Sequence, residues 1–386
     1  MTARKRQRRA AGIHVIHFQK APMEELKSSA SDVHVRPADL NKFVRDIWRS
    51  AGSSEREAGL IADHLVMSNL SGHDSHGVGM IPRYVRTLHE GGLKLNGHVQ
   101  IVRDTGALLT LEGNSGFGQV LASEAMDYGI ERAKNLGIAA VALRNAHHIG
   151  RIGHWAEQCA QHDLVSFHFV NVAGFAQVAP YGGMGGRFGT NPFCAAFPRK
   201  GREPLVLDFA TSSIAVNKTR VAYNKGVEVP PDCLMDHEGR PTRNPRVMHE
   251  APFGSLKTFG GHKGSGMAAM CELFAGALSG GFTTHESTRV KGSAITNSML
   301  SVIIDPAALD AADAQVEADA FIAWVKETPT LPGHNEILMP GEPERRTRAE
   351  RAAVGISIDA TTWTQIIAAA QAVGVPGDRI NSVPVR

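Results

Sequence analysis

Two imidazoles, a carboxylate and a hydroxyl fall within four consecutive residues in Gly72-His73-Asp74-Ser75-His76-Gly77. An imidazole changes charge near neutral pH, so it can give a proton to a bound substrate or take one from it. A neighbouring hydroxyl or carboxylate can orient it. Such a group works only if it is held, and the preceding residues describe a holder. Ser54 and Glu57 read as a capping box, Ala58, Ile61, Leu65 and Val66 recur at helical spacing, and Gly72 reads as a C-terminal stop. The spacing predicts a helix over residues 54–70, the polar cluster at its end, and a shorter helix over Pro82–His89. Alone, a His-x-x-His pair reads as a polar loop, and its weight depends on the rest of the chain.

A second candidate is Val141–Trp155, which reads as strand, polar loop and helix in that order. A ligand beyond the strand end would meet His147 and His148. The backbone amides of Gly150, Arg151 and Ile152 would open a helix over residues 151–161 and favour an anion such as a phosphate. The alternative is a turn glycine with two surface histidines. Asp208 interrupts the apolar run Leu205-Val206-Leu207, where a carboxylate needs a partner, either an imidazole or the amides of the following turn. Gly264-Ser265-Gly266-Met267-Ala268-Ala269 has the letters of a dinucleotide-binding turn, yet no apolar strand precedes it. A metal-dependent hydrolase or lyase on His73, His76, His147 and His148 is the competing chemistry. No His-Glu-x-x-His is present, and Ser75 lacks the glycine-flanked elbow of a serine hydrolase.

The positioning elements follow from pattern. Helices are expected over residues 40–51 and 121–135, the latter closed by Gly137. Strands are expected at 108–111, 138–143 and 164–170. Residues 171–262 are loop-rich, with strands at 193–197 and 205–209. An apolar helix over 264–278, a strand at 301–305 and helices at 314–327 and 359–373 complete an α/β chain with helical ends. The termini are expected to share one discontinuous helical domain, residues 33–92 with 306–386, around an α/β domain of residues 93–305.

Composition narrows the class. With 386 residues, 42% hydrophobic and 20% charged, the chain can bury a sizeable core and has no apolar run of membrane-spanning length. The net charge of +3 comes from residues 1–22, which hold six basic residues and no acid; without them 35 basic residues face 38 acidic ones. A body of that balance offers no basic face for nucleic acid, and residues 1–32 are expected to be a disordered basic leader. Cys159, Cys194, Cys233 and Cys271 are scattered without paired spacing, which points to buried thiols in a reducing, cytoplasmic setting.

Taken together, Asp74-Ser75-His76-Gly77 with Pro82 and Tyr84, Asn145-Ala146-His147-His148, Arg187–Pro192, Leu207–Ser212, Gly261–Gly264 and Pro340-Gly341-Glu342 resemble the type 2 malate/L-lactate dehydrogenase family, in the family's order and over about residues 35–375. The resemblance implies a homodimer with a nicotinamide-binding fold that is not Rossmann. It also implies hydride transfer between NAD, or NADP, and C2 of a 2-oxo or 2-hydroxy acid. His76 would be the proton donor and acceptor, held by Ser75 and Asp208, with His148, Tyr84 and Arg83 at the substrate. His76, Gly150, Arg151, Ile152, Val206, Leu207, Asp208, Phe209, Ala210, His262, Asn297, Pro340, Gly341 and Glu342 would face the cofactor, with no metal, nucleic acid or membrane involved. Reduction of cyclic imino acids, or oxidation of malate or ureidoglycolate, are the alternatives within the same fold. Many members read SHGxxRxP, and here the arginine is Met80. A thioether cannot clamp a carboxylate, so Arg83, Arg151 or Arg187 must do so, and a Met80 wall is expected to favour bulky or aromatic 2-oxo acids.

Overall fold

The computed structural model describes residues 32–285, 290, 292–310 and 314–385; the basic leader, apart from Asp32, lies outside them. The chain opens with β1 (Val33–Val35), α1 (Pro37–Ala51), α2 (Glu55–Leu70) and α3 (Ile81–His89). Helix α1 starts three residues before the expected Leu40 because Pro37 suits a first helical turn. Its Leu40, Phe43, Val44, Ile47 and Trp48 form one buried face. At α2 only half of the expected capping box forms. The Ser54 hydroxyl accepts from the Glu57 amide, but the Glu57 carboxylate turns to Ser53 and to the Asn96 amide, leaving the Asn96 side chain to accept from the Ser54 amide.

Next come β2 (Gln100–Asp104), β3 (Leu108–Glu112), α4 (Gly118–Leu136), β4 (Ile138–His147), α5 (Gly153–Ala160), β5 (Val165–Ala173), β6 (Phe193–Phe197) and β7 (Leu205–Phe209). With β11 (Thr296–Ile304) these strands make a seven-stranded sheet ordered β2-β3-β4-β11-β5-β6-β7. Only β3 and β4, joined by α4, run parallel; every other neighbouring pair is antiparallel. The segment 144–147, expected to be loop, is strand because β3 pairs with it at Arg144 and β11 at His147.

The middle region is more ordered than its glycine and proline content suggested. It holds α6 (Val216–Lys225) and a small sheet of β8 (Leu234–Met235), β9 (Pro241–Thr242) and β10 (Ser255–Leu256) around Val178, Leu234 and Leu256. Helix α7 (His262–Cys271) runs into a π-helical turn over Glu272–Ala277. The C-terminal part contains α8 (Ala314–Lys326), α9 (Glu342–Val354), β12 (Ile356–Ile358), α10 (Ala360–Ala372) and α11 (Gly377–Asn381). Strand β12 pairs with β1, and Ile356, Ile358, Ile366 and Ile380 enter the core built by α1–α3, so the two ends of the chain share one apolar cluster. Each large side chain fully buried there contributes roughly 1.5–3 kcal/mol. A second cluster lies between the main sheet, α4 and α5. All four cysteines are buried and unpaired.

Candidate active site

His76 closes a single 3-10 turn, Asp74–His76, beyond the end of α2. Its ring lies parallel to that of His148, with centroids 5.3 Å apart, and His76 Nδ1 is 3.3 Å from His148 Nε2. The opposite nitrogen of His148, Nδ1, is 2.5 Å from the Tyr84 hydroxyl, and that hydroxyl accepts from the Gln119 amide at 3.0 Å. Four side chains from four segments thus form one hydrogen-bonded row. Burial pushes His76 down to about 3, with His73 and Arg151 acting in the same sense. Burial likewise drives His148 well below its ordinary range, assisted by His76, His147 and Arg83. Both rings are therefore neutral near pH 7, and a neutral imidazole can accept a proton. Burial also raises the Tyr84 hydroxyl, so it stays protonated.

The turn is braced from behind by α9. The Arg351 guanidinium donates to both Asp74 carboxylate oxygens and to the Asn69 carbonyl, Arg348 donates to the Ser71 hydroxyl, and Glu344 pairs with His73 at 3.4 Å. Asn69 completes the brace, donating to Asp74 and accepting from the Val78 amide. These contacts hold His73 against Glu344 of α9. The Ser75 carbonyl accepts from Asn217 of α6, and the Ser75 hydroxyl has no hydrogen-bond partner among the described residues. Met80 is buried, its sulfur 3.9 Å from the Asn217 amide nitrogen.

The second segment departs from the expected anion cup. Helix α5 begins at Gly153, so Gly150, Arg151 and Ile152 precede it. The Arg151 amide donates to His64 Nε2 at 2.9 Å and the Gly153 amide to Asp208 at 2.8 Å. Asp208 is thus satisfied by the start of α5, and among the described residues it makes no hydrogen bond to an imidazole or to the amides of the turn that follows it, the two partners expected from sequence. Burial raises its carboxyl, while His73, Arg151 and the Gly153 amide oppose that rise. Gly150 is required by geometry: its φ is +75°, and a Cβ there would lie 2.0 Å from His64 Nε2. His64, inside α2, gave no signal in sequence beyond being a histidine on an apolar face.

Of the three candidate carboxylate clamps, Arg83 stands at the Tyr84–His148 part of the row, and Arg151 acts on His76 at its other end. Arg83 acts electrostatically on Tyr84, His147 and His148, lies over the Phe175 ring at 4.5 Å, and donates through Nε to the Ser293 carbonyl. Its terminal nitrogens have no partner among the described residues, and burial lowers it to about 10, still charged at neutral pH. Arg151 is paired with Glu157. Arg187 is exposed and donates to its neighbour's carbonyl at Gly186.

Several residues expected at a cofactor meet in a cleft lined by Arg151, Val206, Asp208, Gly341, Glu344 and Arg345. The Val206 amide donates to the Pro340 carbonyl, and Glu342 accepts from the Met339 amide. Gly341 has φ +87°, and a Cβ there would crowd Arg345 at 2.9 Å and the Val206 amide at 3.3 Å. The Leu207 side chain is exposed, and Phe209, which Ala210 follows, packs edge-on against Phe259. His262 is exposed at the start of α7 against Tyr181. Asn297 is buried with both ends of its amide on backbone, accepting from Ile149 and donating to Asn171.

The profile of the malate/L-lactate dehydrogenases matches residues 35–367. The chain belongs to that family. Among members of the malate/L-lactate dehydrogenase family, hydroxycarboxylate dehydrogenase B of Escherichia coli strain K12 is 53% identical over 347 residues, covering 89% of this chain and 95% of the relative. L-lactate dehydrogenase of Cupriavidus necator is 38% identical over 339 residues, with 86% and 96% covered. Sulfolactate dehydrogenase from Methanocaldococcus jannaschii superposes with a TM-score of 0.79 at 32% identity, covering 89% of this chain and 98% of that one. Family membership makes this protein an oxidoreductase acting on hydroxy acids. The mixed α/β sheet is that of the malate/L-lactate dehydrogenase family.

Proposed function

We propose that the protein interconverts 2-oxo and 2-hydroxy acids with NAD, or alternatively NADP, and prefers bulky or aromatic substrates. The observation that carries this reading is the row Gln119-Tyr84-His148-His76 beside the charged end of Arg83, unpaired among the described residues. Arg83 binds the substrate carboxylate through its terminal nitrogens, which have no partner among the described residues, and Tyr84 and His148 flank the carbon to be reduced. His76 takes the hydroxyl proton during oxidation, as its neutral resting state suits, and returns it to the developing oxyanion during reduction. An anionic substrate beside the ring favours the protonated form and so loads it for reduction. Ser75 adjoins His76 in the 3-10 turn without a side-chain bond to it, and Asp208 supports the site from the start of α5 through the Gly153 amide.

Part of the coenzyme would lie along this cleft, where the Asp208 and Glu344 carboxylates suit ribose hydroxyls and the Arg345 guanidinium suits a phosphate. Gly150, Arg151, Ile152, Val206–Ala210, His262, Asn297 and Pro340–Glu342 would hold the coenzyme, which when bound supplies or takes the hydride. A sheet with a single parallel pair supports a nicotinamide site outside the Rossmann arrangement. With Met80 buried at that place, the wall there is a thioether and not a guanidinium, in keeping with an apolar substituent. In this reading the chain is a cytoplasmic homodimer, residues 33–92 with 306–386 form the substrate and dimer domain, and residues 93–305 form the coenzyme domain.

The test is coenzyme absorbance with purified protein across pyruvate, oxaloacetate, phenylpyruvate and a cyclic imino acid, with NADH and NADPH. Fastest turnover with phenylpyruvate is expected. Turnover of oxaloacetate at an equal or higher kcat/KM refutes the substrate preference, and no coenzyme oxidation with any 2-oxo acid refutes the activity.

A further inference from the structure

Gln119 has no assigned part in this chemistry, yet it ends the row that contains His76. It is buried to 1% exposure in the first turn of α4. Its position is fixed because α4 starts hard against the histidine segment: a Cβ on Gly118 would lie 2.3 Å from the His147 carbonyl oxygen and 2.4 Å from that of His148. The Gln119 amide nitrogen donates to the Tyr84 hydroxyl, and the amide oxygen is buried without a partner. Tyr84 bonds only Gln119 and His148, and His148 bonds only Tyr84 and His76, among the described residues. A hydroxyl has one proton, and a neutral imidazole has one donor and one acceptor nitrogen. Fixing one end of such a row therefore fixes the other.

We infer that Gln119 is a positioning residue whose side-chain amide sets, through Tyr84 and His148, which ring nitrogen of His76 carries the proton. With the amide nitrogen toward Tyr84, the hydroxyl donates to His148 Nδ1. His148 then donates from Nε2 to His76 Nδ1, and His76 presents an Nε2 proton to the substrate. A half-turn of the amide puts its oxygen toward Tyr84 and reverses every bond, so His76 donates from Nδ1 and presents an Nε2 lone pair. Only the second arrangement balances a transfer: the Nε2 lone pair takes the hydroxyl proton of a 2-hydroxy acid, and the resulting imidazolium, still donating from Nδ1 to His148, returns that proton to the oxyanion formed from a 2-oxo acid, whereas the first offers the ketone oxygen a hydrogen bond and no transferable proton. Either orientation leaves one amide atom unpartnered, so the surroundings impose no large preference and the row can reverse. A carboxamide neither gains nor loses a proton here, so Gln119 sets polarity and closes the row to proton escape. His147 and Arg83 face the same row, but neither is hydrogen-bonded to it. The inference rests on the reading of His76 as the proton-transfer residue.

Neutron diffraction from deuterium-exchanged crystals of the full chain tests it directly. The expected result is one tautomer shared by His148 and His76: both carry a deuteron on Nε2 if the Gln119 nitrogen faces Tyr84, and both on Nδ1 if the oxygen does. Opposite tautomers in the two rings, or a Gln119 nitrogen toward Tyr84 with the deuteron on His148 Nδ1, overturn the inference. Gln119→Met keeps the volume and removes both ends of the amide. It is expected to split the deuteron between nitrogens and to lower kcat roughly tenfold with the coenzyme KM unchanged, and an undivided wild-type tautomer or unchanged kcat overturns the proposal. Should the variant not fold, the wild-type crystal alone decides. The deuteron positions are independent of turnover, so a protein inactive on 2-oxo acids would refute the proposed activity and leave this result standing.

Discussion

Unfolding in mild acid is expected to take up protons on histidine, because burial holds seven histidines neutral, six of them deep in the fold and His249, lowered to about 4, half-buried. His76, His147 and His168 are pushed down to about 3 and His154 to about 4, and His64 and His148 lie well below the ordinary range. A histidine depressed in the fold binds its proton only after unfolding, so its stabilising effect is complete above about pH 6.5 and is lost as pH falls from there toward 3. For one group falling from 6.5 to about 3, the loss between pH 7 and pH 5 is about 2 kcal/mol. His147 and His168 are 2% and 0% exposed, so the full figure applies to both, giving about 4 kcal/mol together. Asp127 and Asp208, whose carboxyls burial raises, act in the opposite sense. Urea unfolding followed by tryptophan fluorescence from pH 5 to pH 7 gives proton uptake from the slope of free energy against pH. Roughly six protons are expected near pH 5.5, and fewer than about three would refute the burial argument. His168→Gln isolates one of them, a ring held between the hydroxyls of Ser166 and Ser301 at 2.9 Å each. The variant is expected to be less stable at pH 7, yet to lose about 2 kcal/mol less than wild type on going to pH 5. An unchanged pH slope would show that His168 is already protonated in the fold.

Three further outcomes are expected. Gly150→Ala forces a side chain onto His64 at an unfavourable φ and should destabilise by at least about 1–3 kcal/mol, read as a lower urea midpoint. His76→Ala should reduce kcat by roughly a hundredfold or more while a coenzyme titration by fluorescence keeps its midpoint; near-normal kcat would remove His76 from the chemistry. Arg351→Met removes the bidentate hold on Asp74 and the bond to the Asn69 carbonyl. It should lower kcat/KM more than stability, since the pair is half exposed at Asp74, and a loss of stability without loss of activity would contradict the bracing role.

Much of the architecture was legible because strong patterns had a single reading. The apolar faces of α1 and α2, Gly137 after α4 and Asp359 before α10 each lie where the spacing places them. Failures occurred where tertiary partners overrode local grammar. Residues 144–147 read as loop, but β3 pairs at Arg144 and β11 at Ala146 and His147. Asp208 finds a backbone amide supplied by a segment more than fifty residues earlier, which no local pattern predicts. Helix α9 was missed because none of its residues is fully buried and it carries no apolar stripe. Its signal was electrostatic instead, with Glu344, Arg348 and Arg351 at the i, i+4 and i+7 positions of one face. Within the site, the His148 and Tyr84 positions were readable from their segments, whereas Gln119, His64 and Asn69 look like ordinary helix residues until the fold brings them to the row and its brace.

The brace from α9 also bears on how the enzyme comes into being. Asp74 and Arg351 are separated by 277 residues, and β1 meets β12 across a similar span. Closing so long a loop is slow, and contacts of this sequence separation form late in folding. The turn that carries His76 therefore reaches its working geometry only after synthesis has passed α9 and the two ends of the chain have docked. On refolding from denaturant, the central sheet and its helices should regain their signal first, and catalytic competence should return last, paced by the meeting of the termini.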